Sequence, residues 1–133
     1  LIDDGGALLV LSSTMGLDVQ VGGAVISSAL DRVSPDGTVT RVAEFPSLMF
    51  DGMALDPDGD TVYLASPREG VGTIGHDIAG TNALYQLKLS DPTPVKLLDV
   101  DGDLVDDVAP TGIVTDGLSV LYVLDGKIEQ LSL

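Results

Sequence analysis

The chain of 133 residues contains no cysteine, no tryptophan, one histidine and only six lysine or arginine residues. Without cysteine it has no disulfide, no thiolate metal ligand and no thiol nucleophile, and the compartment is left open. The six basic residues are opposed by 21 acidic ones, and the formal net charge is −15. Such a chain repels phosphate backbones and anionic lipid headgroups, which argues against nucleic acid and membrane surfaces as partners.

Long apolar runs are also missing. The uncharged stretch with apolar character at residues 19–30 is about half the ~20 residues that a membrane-spanning helix needs, so we expect no membrane insertion. The chain begins at Leu1 rather than Met and shows no signal-peptide pattern. We therefore expect that its natural start lies upstream.

The acidic residues are of one kind. Of the 21, 18 are Asp and three are Glu, and Asp favours turns whereas Glu favours helices. The hydrophobic fraction of 44% is sufficient to build the core of about one domain. Composition therefore predicts an all-β chain with many turns and few helices.

The sequence repeats itself with an offset of 54 residues. A fixed period of this length predicts stacked supersecondary units. The offset superimposes Leu1 on Leu55, Asp4 on Asp58, Gly5 on Gly59, Ser12 on Ser66, Gly16 on Gly70, Ala29 on Ala83 and Leu30 on Leu84. A shorter third copy follows, in which Leu121-Tyr122-Val123 echoes Val62-Tyr63-Leu64 and Ile128 echoes Leu84.

Short runs rich in β-branched residues, Leu and Tyr predict the strands. In the second copy they are 51–55, 61–65, 83–89 and 95–100, and turn signals lie between them at 56–59 and 90–92. In the first copy they are 7–11, 29–33 and 39–43, after a strand that ends at residues 1–2. In the third copy strand 127–133 follows an Asp125-Gly126 hairpin. We expect Val62, Leu64, Leu84, Leu87, Val120 and Leu121 to be buried.

Four short strands per unit, joined by Asp-Gly turns, are typical of a β-propeller blade. The predicted fold is therefore all-β, a propeller segment of about two and a half four-stranded antiparallel blades. The blades are residues 1–45, 50–101 and a partial one at 111–133, whose fourth strand is missing. Propellers close with about four to eight blades. The predicted partners are therefore the remaining blades of the same propeller or neighbouring subunits. A β-sandwich is the alternative architecture.

Two long connections are expected to share one rim of the propeller with Asp51. They are residues 12–28 and 66–82, 17 residues each, and rims of rigid β scaffolds commonly bind ligands. The second carries Gly72, His76 and Asp77, of which His76 is a candidate acid or base. Its G-x-G-x-x-G string at 70–75 would need to open a helix to hold a dinucleotide. A strand follows instead, so no nucleotide cofactor is expected.

The segment from Phe50 to Ala65, FDGMALDPDGDTVYLA, resembles the strand signature of the gluconolactonase/regucalcin family and of related NHL-type and strictosidine-synthase-like propellers. That resemblance implies a mostly six-bladed ring in which Asp51 faces the central channel and binds a divalent cation such as Ca²⁺ or Zn²⁺. It also implies metal-dependent hydrolysis of sugar lactones, with Asp51 as a candidate catalytic residue. The Glu and Asn ligands of that family have no counterpart here, and Thr111 stands at the position of Asp51 in the third copy. Two functions are left open, a non-catalytic ligand- or protein-binding module and a lactonase.

A second metal candidate is the acidic segment 99–107. Its D-x-D-G-D-x-x-x-D spacing is similar to the calcium loops of integrin-type and thrombospondin-type repeats. Ca²⁺ takes six to eight oxygen ligands, and several would come from Asp99, Asp101, Asp103 and Asp107. Leu104 stands where such loops prefer Gly. A solvated acidic insertion is the alternative.

Overall fold

The computed structural model describes residues 2–18, 23–46, 48–50, 52–66, 83–99, 111–124 and 127–133. These residues form eleven β-strands and no helix, which confirms the all-β prediction. The strands are β1 (Ile2–Asp4), β2 (Ala7–Asp18), β3 (Gly23–Val33), β4 (Val39–Pro46), β5 (Gly52–Leu55), β6 (Thr61–Ser66), β7 (Ala83–Lys88), β8 (Asp91–Asp99), β9 (Thr111–Thr115), β10 (Ser119–Leu124) and β11 (Lys127–Ser132). Within the described ranges no helix has the length and apolar character required to cross a bilayer.

The strands form three antiparallel sheets that follow the chain order. The first sheet is β1-β2-β3-β4, the second is β5-β6-β7-β8, and the third is β9-β10-β11. Every pairing inside them is antiparallel between consecutive strands. Three sheets of this kind do not by themselves constitute a propeller, so the finer architecture stays a prediction.

The second sheet lies between the other two and has both faces buried. All six residues of β6 are buried. Val62 and Leu64 pack with Leu9 and Leu30 of the first sheet. Tyr63 and Ala65, on the opposite face, pack with Val120 and Tyr122 of the third sheet, as does Leu84. Alternate residues of a strand point to opposite faces, and this is why a continuous apolar run serves two cores.

Five of the six residues predicted to be buried are buried, namely Val62, Leu64, Leu84, Leu87 and Val120. The prediction for Leu121 is wrong, because its side chain is exposed. Val120 pairs with Thr115 on β9 just as Val62 pairs with Leu55 on β5. Aligning Tyr122 with Tyr63 in the sequence shifts the third copy by one residue, and a shift of one residue exchanges the two faces of a strand.

The connection expected at residues 12–28 is also different from the prediction. Strands β2 and β3 pair continuously from Leu8↔Val33 to Asp18↔Gly23, so most of this segment is a long hairpin. Ser12, Ser13 and Thr14 each have a partner residue on β3. Hydroxyl residues are typical of loops, but here the neighbouring strand satisfies their main-chain groups.

Candidate functional site

Aspartates shape the turns that set the ends of the sheets. In the turn between the first two strands of each sheet, an Asp Oδ1 accepts a hydrogen bond from the N–H three residues further on. The pairs are Asp3 with Gly6 (2.9 Å), Asp58 with Thr61 (2.8 Å) and Asp116 with Ser119 (2.8 Å). Main-chain N–H donors lower the pKa of Asp58 and Asp116. These carboxylates therefore stabilise turns, as the abundance of Asp over Glu predicted.

A groove of about 480 Å³ lies where β2, β5 and β9 meet. All three sheets contribute to it, because β2 belongs to the first sheet, β5 to the second and β9 to the third. Its lining residues are Leu11, Ser13, Phe50, Gly52, Met53, Gly112 and Ile113. It is thus a mixed apolar and hydroxyl-lined groove of the size that small ligands occupy.

One wall of the groove is fixed by a closed ring of hydrogen bonds. The N–H of Phe50 donates to Ser28 Oγ (2.9 Å), and Ser13 Oγ donates to the carbonyl of Phe50 (2.5 Å). The two hydroxyls lie 2.8 Å apart. Because each hydroxyl has one proton, Ser28 must be the donor to Ser13. The ring satisfies both main-chain groups of Phe50 and fixes the segment that leads into β5.

The phenyl side chain of Phe50 is fixed as well. It meets Phe45 and Tyr85 edge to face, with centroid distances of 5.1 and 5.3 Å. Such arrangements are the preferred aromatic contacts. Main chain and side chain of Phe50 are therefore both held at the groove.

Gly52 is required by close packing. A Cβ at this position would lie 3.1 Å from Ala65 Cβ and 3.2 Å from Ile113 Cγ2, closer than ordinary van der Waals contact. The Asp-Gly opening of the segment that resembles the lactonases therefore has a packing function here, since the glycine lets the second sheet approach β9.

Most of the site residues predicted from the sequence lie outside the described residues. These are Asp51, Gly72, His76, Asp77, Asp101, Asp103 and Asp107. Asp99 ends β8, where its backbone is opposite Ala83. The two chain neighbours of position 51, Phe50 and Gly52, both line the groove.

The described part of the groove does not form a metal centre. In the described ranges, no three His, Cys, Asp or Glu side chains lie together as they would around a metal ion. The described lining supplies the hydroxyl of Ser13 and no carboxylate. The hydroxyl of Ser66 is fully buried and has no hydrogen-bond partner among the described residues. Ser66 follows Ala65, which is the partner of Gly52 in the sheet. The metal predictions at Asp51 and in segment 99–107 stay predictions.

A second cavity, of about 300 Å³, lies beside β2, β3 and β4. Its polar lining includes Ser12, Thr14 and Arg41. Arg41 forms ion pairs with Asp31 (2.5 Å) and with Glu44. Two carboxylates therefore already neutralise the cation, which makes this cavity a weaker anion site than the presence of an arginine suggests.

Sequence reasoning missed Ser13, Ser28 and the apolar lining residues Leu11, Met53 and Ile113. The two serines are 15 residues apart, and only the long β2–β3 hairpin brings them together. No local pattern in the sequence marks that contact.

No family model matches the chain, and neither a curated protein nor a solved structure is detectably similar to it. The resemblance of residues 50–65 to the gluconolactonase/regucalcin family therefore stays a prediction.

Proposed function

We propose that the chain is a non-catalytic binding module of the β-propeller type whose ligand occupies the groove between β2, β5 and β9. Two observations support the propeller architecture. The three sheets are consecutive antiparallel meanders, and the second sheet is covered on both faces by its neighbours. Propeller blades are antiparallel meanders of this kind, and we infer that these three sheets are blades.

The groove is the observation that carries the binding function. It joins residues from three sheets around a wall that the Ser13–Ser28–Phe50 hydrogen bonds hold in place. A preformed wall lowers the entropic cost of binding, because fewer groups must be ordered when the ligand arrives. Grooves with these properties are typical of ligand sites.

The lining and the charge of the chain define the class of ligand. Leu11, Met53 and Ile113 offer an apolar surface and Ser13 a hydroxyl, whereas the net charge of −15 repels anions. The ligand is therefore a small neutral or cationic molecule with an apolar face.

Methyl NMR tests this assignment. Gluconolactone, maltose and tetramethylammonium are titrated separately, and the resonances of Met53 and Ile113 are followed. We expect saturable shifts with at least one of the three probes. Met53→Ala should abolish the shift at Ile113. Leu48→Ala should retain it, because Leu48 also packs on the core but does not line the groove. Flat titrations with all three probes would contradict this ligand class.

The second candidate function is metal-dependent hydrolysis of sugar lactones. It is favoured by the groove lining, which includes both chain neighbours of residue 51, Phe50 and Gly52. The test is a lactonase assay with Ca²⁺, Zn²⁺ and Mn²⁺ in turn. A lactonase would lose both activity and bound metal in Asp51→Asn while its melting temperature stays the same or rises. Asp36→Asn, in the β3–β4 turn, is the control. No hydrolysis by the unmodified chain with any of the three ions would exclude this function.

A further inference from the structure

The third sheet exposes an apolar face on the side away from the second sheet. Val114 is 59% exposed, Leu121 36% and Ile128 75%. Val114 and Leu121 are directly opposed on β9 and β10, and Ile128 on β11 is opposed to Val123, two residues along the same face of β10. The three strands therefore present one continuous apolar surface, which we call the tail face.

The tail face repeats the surface through which the second sheet packs on the third. In the second sheet, Ala54 is opposed to Tyr63, just as Val114 is opposed to Leu121 in the third. Leu84 in the second sheet corresponds to Ile128 in the third sheet. The residue after each of them pairs with the equivalent position of the neighbouring strand, since Tyr85 is opposed to Leu64 and Glu129 is opposed to Tyr122. Ala54, Tyr63 and Leu84 all lie in the core between the second and third sheets. The tail face thus carries apolar residues at the positions that already bury one sheet on the next.

The first sheet exposes a complementary surface at the opposite end of the stack. Leu8, Val33 and Val39 lie side by side on β2, β3 and β4, and Leu8 is 38% and Val39 63% exposed. Leu8 precedes Leu9, which packs on the second sheet, so it points to the other face. We call this surface the head face.

The head face repeats the surface through which the second sheet packs on the first. Leu8 is opposed to Val33, and 54 residues later Val62 is opposed to Leu87. Val62 and Leu87 lie in the core that the first and second sheets share. Each chain therefore carries one surface of each kind that its own sheets use to pack on one another.

We propose that a second copy of this chain docks head to tail, with its head face of Leu8, Val33 and Val39 on the tail face of Val114, Leu121 and Ile128. The contact continues the packing that already joins the three sheets. It is a heterologous contact, in which different surfaces of the two copies meet, so it leads to a ring or to an open chain of copies. It stands on these two faces alone and does not depend on the ligand proposed for the groove.

The net charge of −15 per copy opposes association, because like charges repel at low ionic strength. Added salt should therefore strengthen the contact. An apolar contact without this charge effect would be insensitive to moderate salt.

Sedimentation velocity of the full chain over a range of concentrations tests the proposal. The unmodified chain should exceed the 13.7 kDa of one copy as its concentration rises, and more readily at higher salt. Ile128→Glu on the tail face and Val39→Glu on the head face should each weaken association by about a hundredfold, since each places an unpaired charge in an apolar contact. Leu118→Glu is the matched control, because Leu118 is exposed in the β9–β10 turn and belongs to neither face. Both positions are exposed, so unchanged melting temperatures are expected.

Mixing the two variants decides the geometry. Each variant keeps the face that the other has lost, so an equimolar mixture should form a one-to-one complex of two copies and nothing larger. Three results would overturn the proposal. The first is a single-copy mass for the unmodified chain at every concentration and salt. The second is a mass for Val39→Glu equal to that of the unmodified chain, which would indicate that tail faces pair with each other. The third is a mixture of the two variants that stays monomeric.

Discussion

The hydroxyl groups of Ser13 and Ser28 lie 2.8 Å apart on neighbouring strands and hold both main-chain groups of Phe50 between them. Ser28 and Phe50 are buried. The hydrogen bonds therefore connect the first sheet to the segment before the second sheet, and the one between Phe50 and Ser28 is shielded from water whereas Ser13 is exposed. Since Phe50 also lines the groove, stability and the shape of the candidate site depend on the same two serines.

Replacing Ser28 with Ala should destabilise the fold by about 1–3 kcal/mol, because it leaves the buried N–H of Phe50 without an acceptor. Ser12→Ala is the matched control. Ser12 is exposed and its only described side-chain hydrogen bond is long, at 3.5 Å to the carbonyl of Ala29, so a change within about 0.5 kcal/mol is expected. Urea unfolding at neutral pH measures both. Equal midpoints for the two variants would show that the ring of hydrogen bonds contributes nothing to the free energy of unfolding.

The turn aspartates predict loss of stability in acid. Main-chain N–H donors lower the pKa of Asp58 and Asp116 from the ordinary value of 3.8. A carboxyl whose pKa is lower in the folded state stabilises fully above its unfolded pKa, and this contribution disappears as the pH falls through the folded pKa. The urea midpoint should therefore fall as the pH decreases below about 4.

The double variant Asp58→Asn, Asp116→Asn tests which groups are responsible. Asn retains an oxygen that accepts the turn hydrogen bonds but does not titrate. The variant should be less stable than the unmodified chain at neutral pH and should lose less stability on acidification. Parallel midpoint curves for the two proteins would assign the acid sensitivity to other carboxyls.

The sequence predicted the sheets well because their signals are local. Asp and Gly at the turns mark where strands end, and alternating apolar residues mark where they run. The face of a strand is a finer property. Aligning Tyr122 with Tyr63, a register error of one residue, placed Leu121 in the core beside Val120, and of the two only Val120 is buried.

The candidate site could not be predicted in the same way. Ser13 and Phe50 are 37 residues apart, and Ser28 and Phe50 are 22 apart, so their contact depends on how two sheets pack. Serines also signal loops, and this made residues 12–28 look like a connection rather than the hairpin that brings Ser13 to Ser28. Long-range packing determines the groove, and single-sequence patterns do not encode it.

Calcium binding by segment 99–107 is a prediction that melting curves can test. An ion that binds only the folded state raises the melting temperature by mass action. Ca²⁺ should therefore stabilise the unmodified chain relative to chelator, and Asp101→Asn with Asp103→Asn should remove the difference. A control with Asp36→Asn and Asp91→Asn removes two carboxylates elsewhere and should keep it. Coincident curves with Ca²⁺ and with chelator at moderate salt would identify the segment as a solvated acidic insertion.

Tyr63 predicts a loss of stability in alkali. Its hydroxyl donates to Asp56 Oδ2 at 3.3 Å in a buried setting, and burial together with the Asp56 carboxylate raises the pKa of Tyr63 to about 12. The ordinary value is 10.0. A group whose pKa is raised in the folded state contributes stability that is fully present below the unfolded pKa and is lost as the pH rises through the folded one.

Between about pH 10 and 12 the unmodified chain should therefore lose about 2–3 kcal/mol of its free energy of unfolding. Tyr63→Phe should cost about 0.5–1.5 kcal/mol at neutral pH, through the lost hydrogen bond, but should remove this part of the alkaline loss, so the urea midpoints of the two proteins converge as the pH rises and cross by about pH 12. Tyr63→Phe should also remove the phenolate absorbance that appears near pH 12 in an alkaline titration of the folded chain. A constant gap between the two midpoints from neutral pH to about pH 11 would mean that Tyr63 titrates in the folded protein as it does in the unfolded chain.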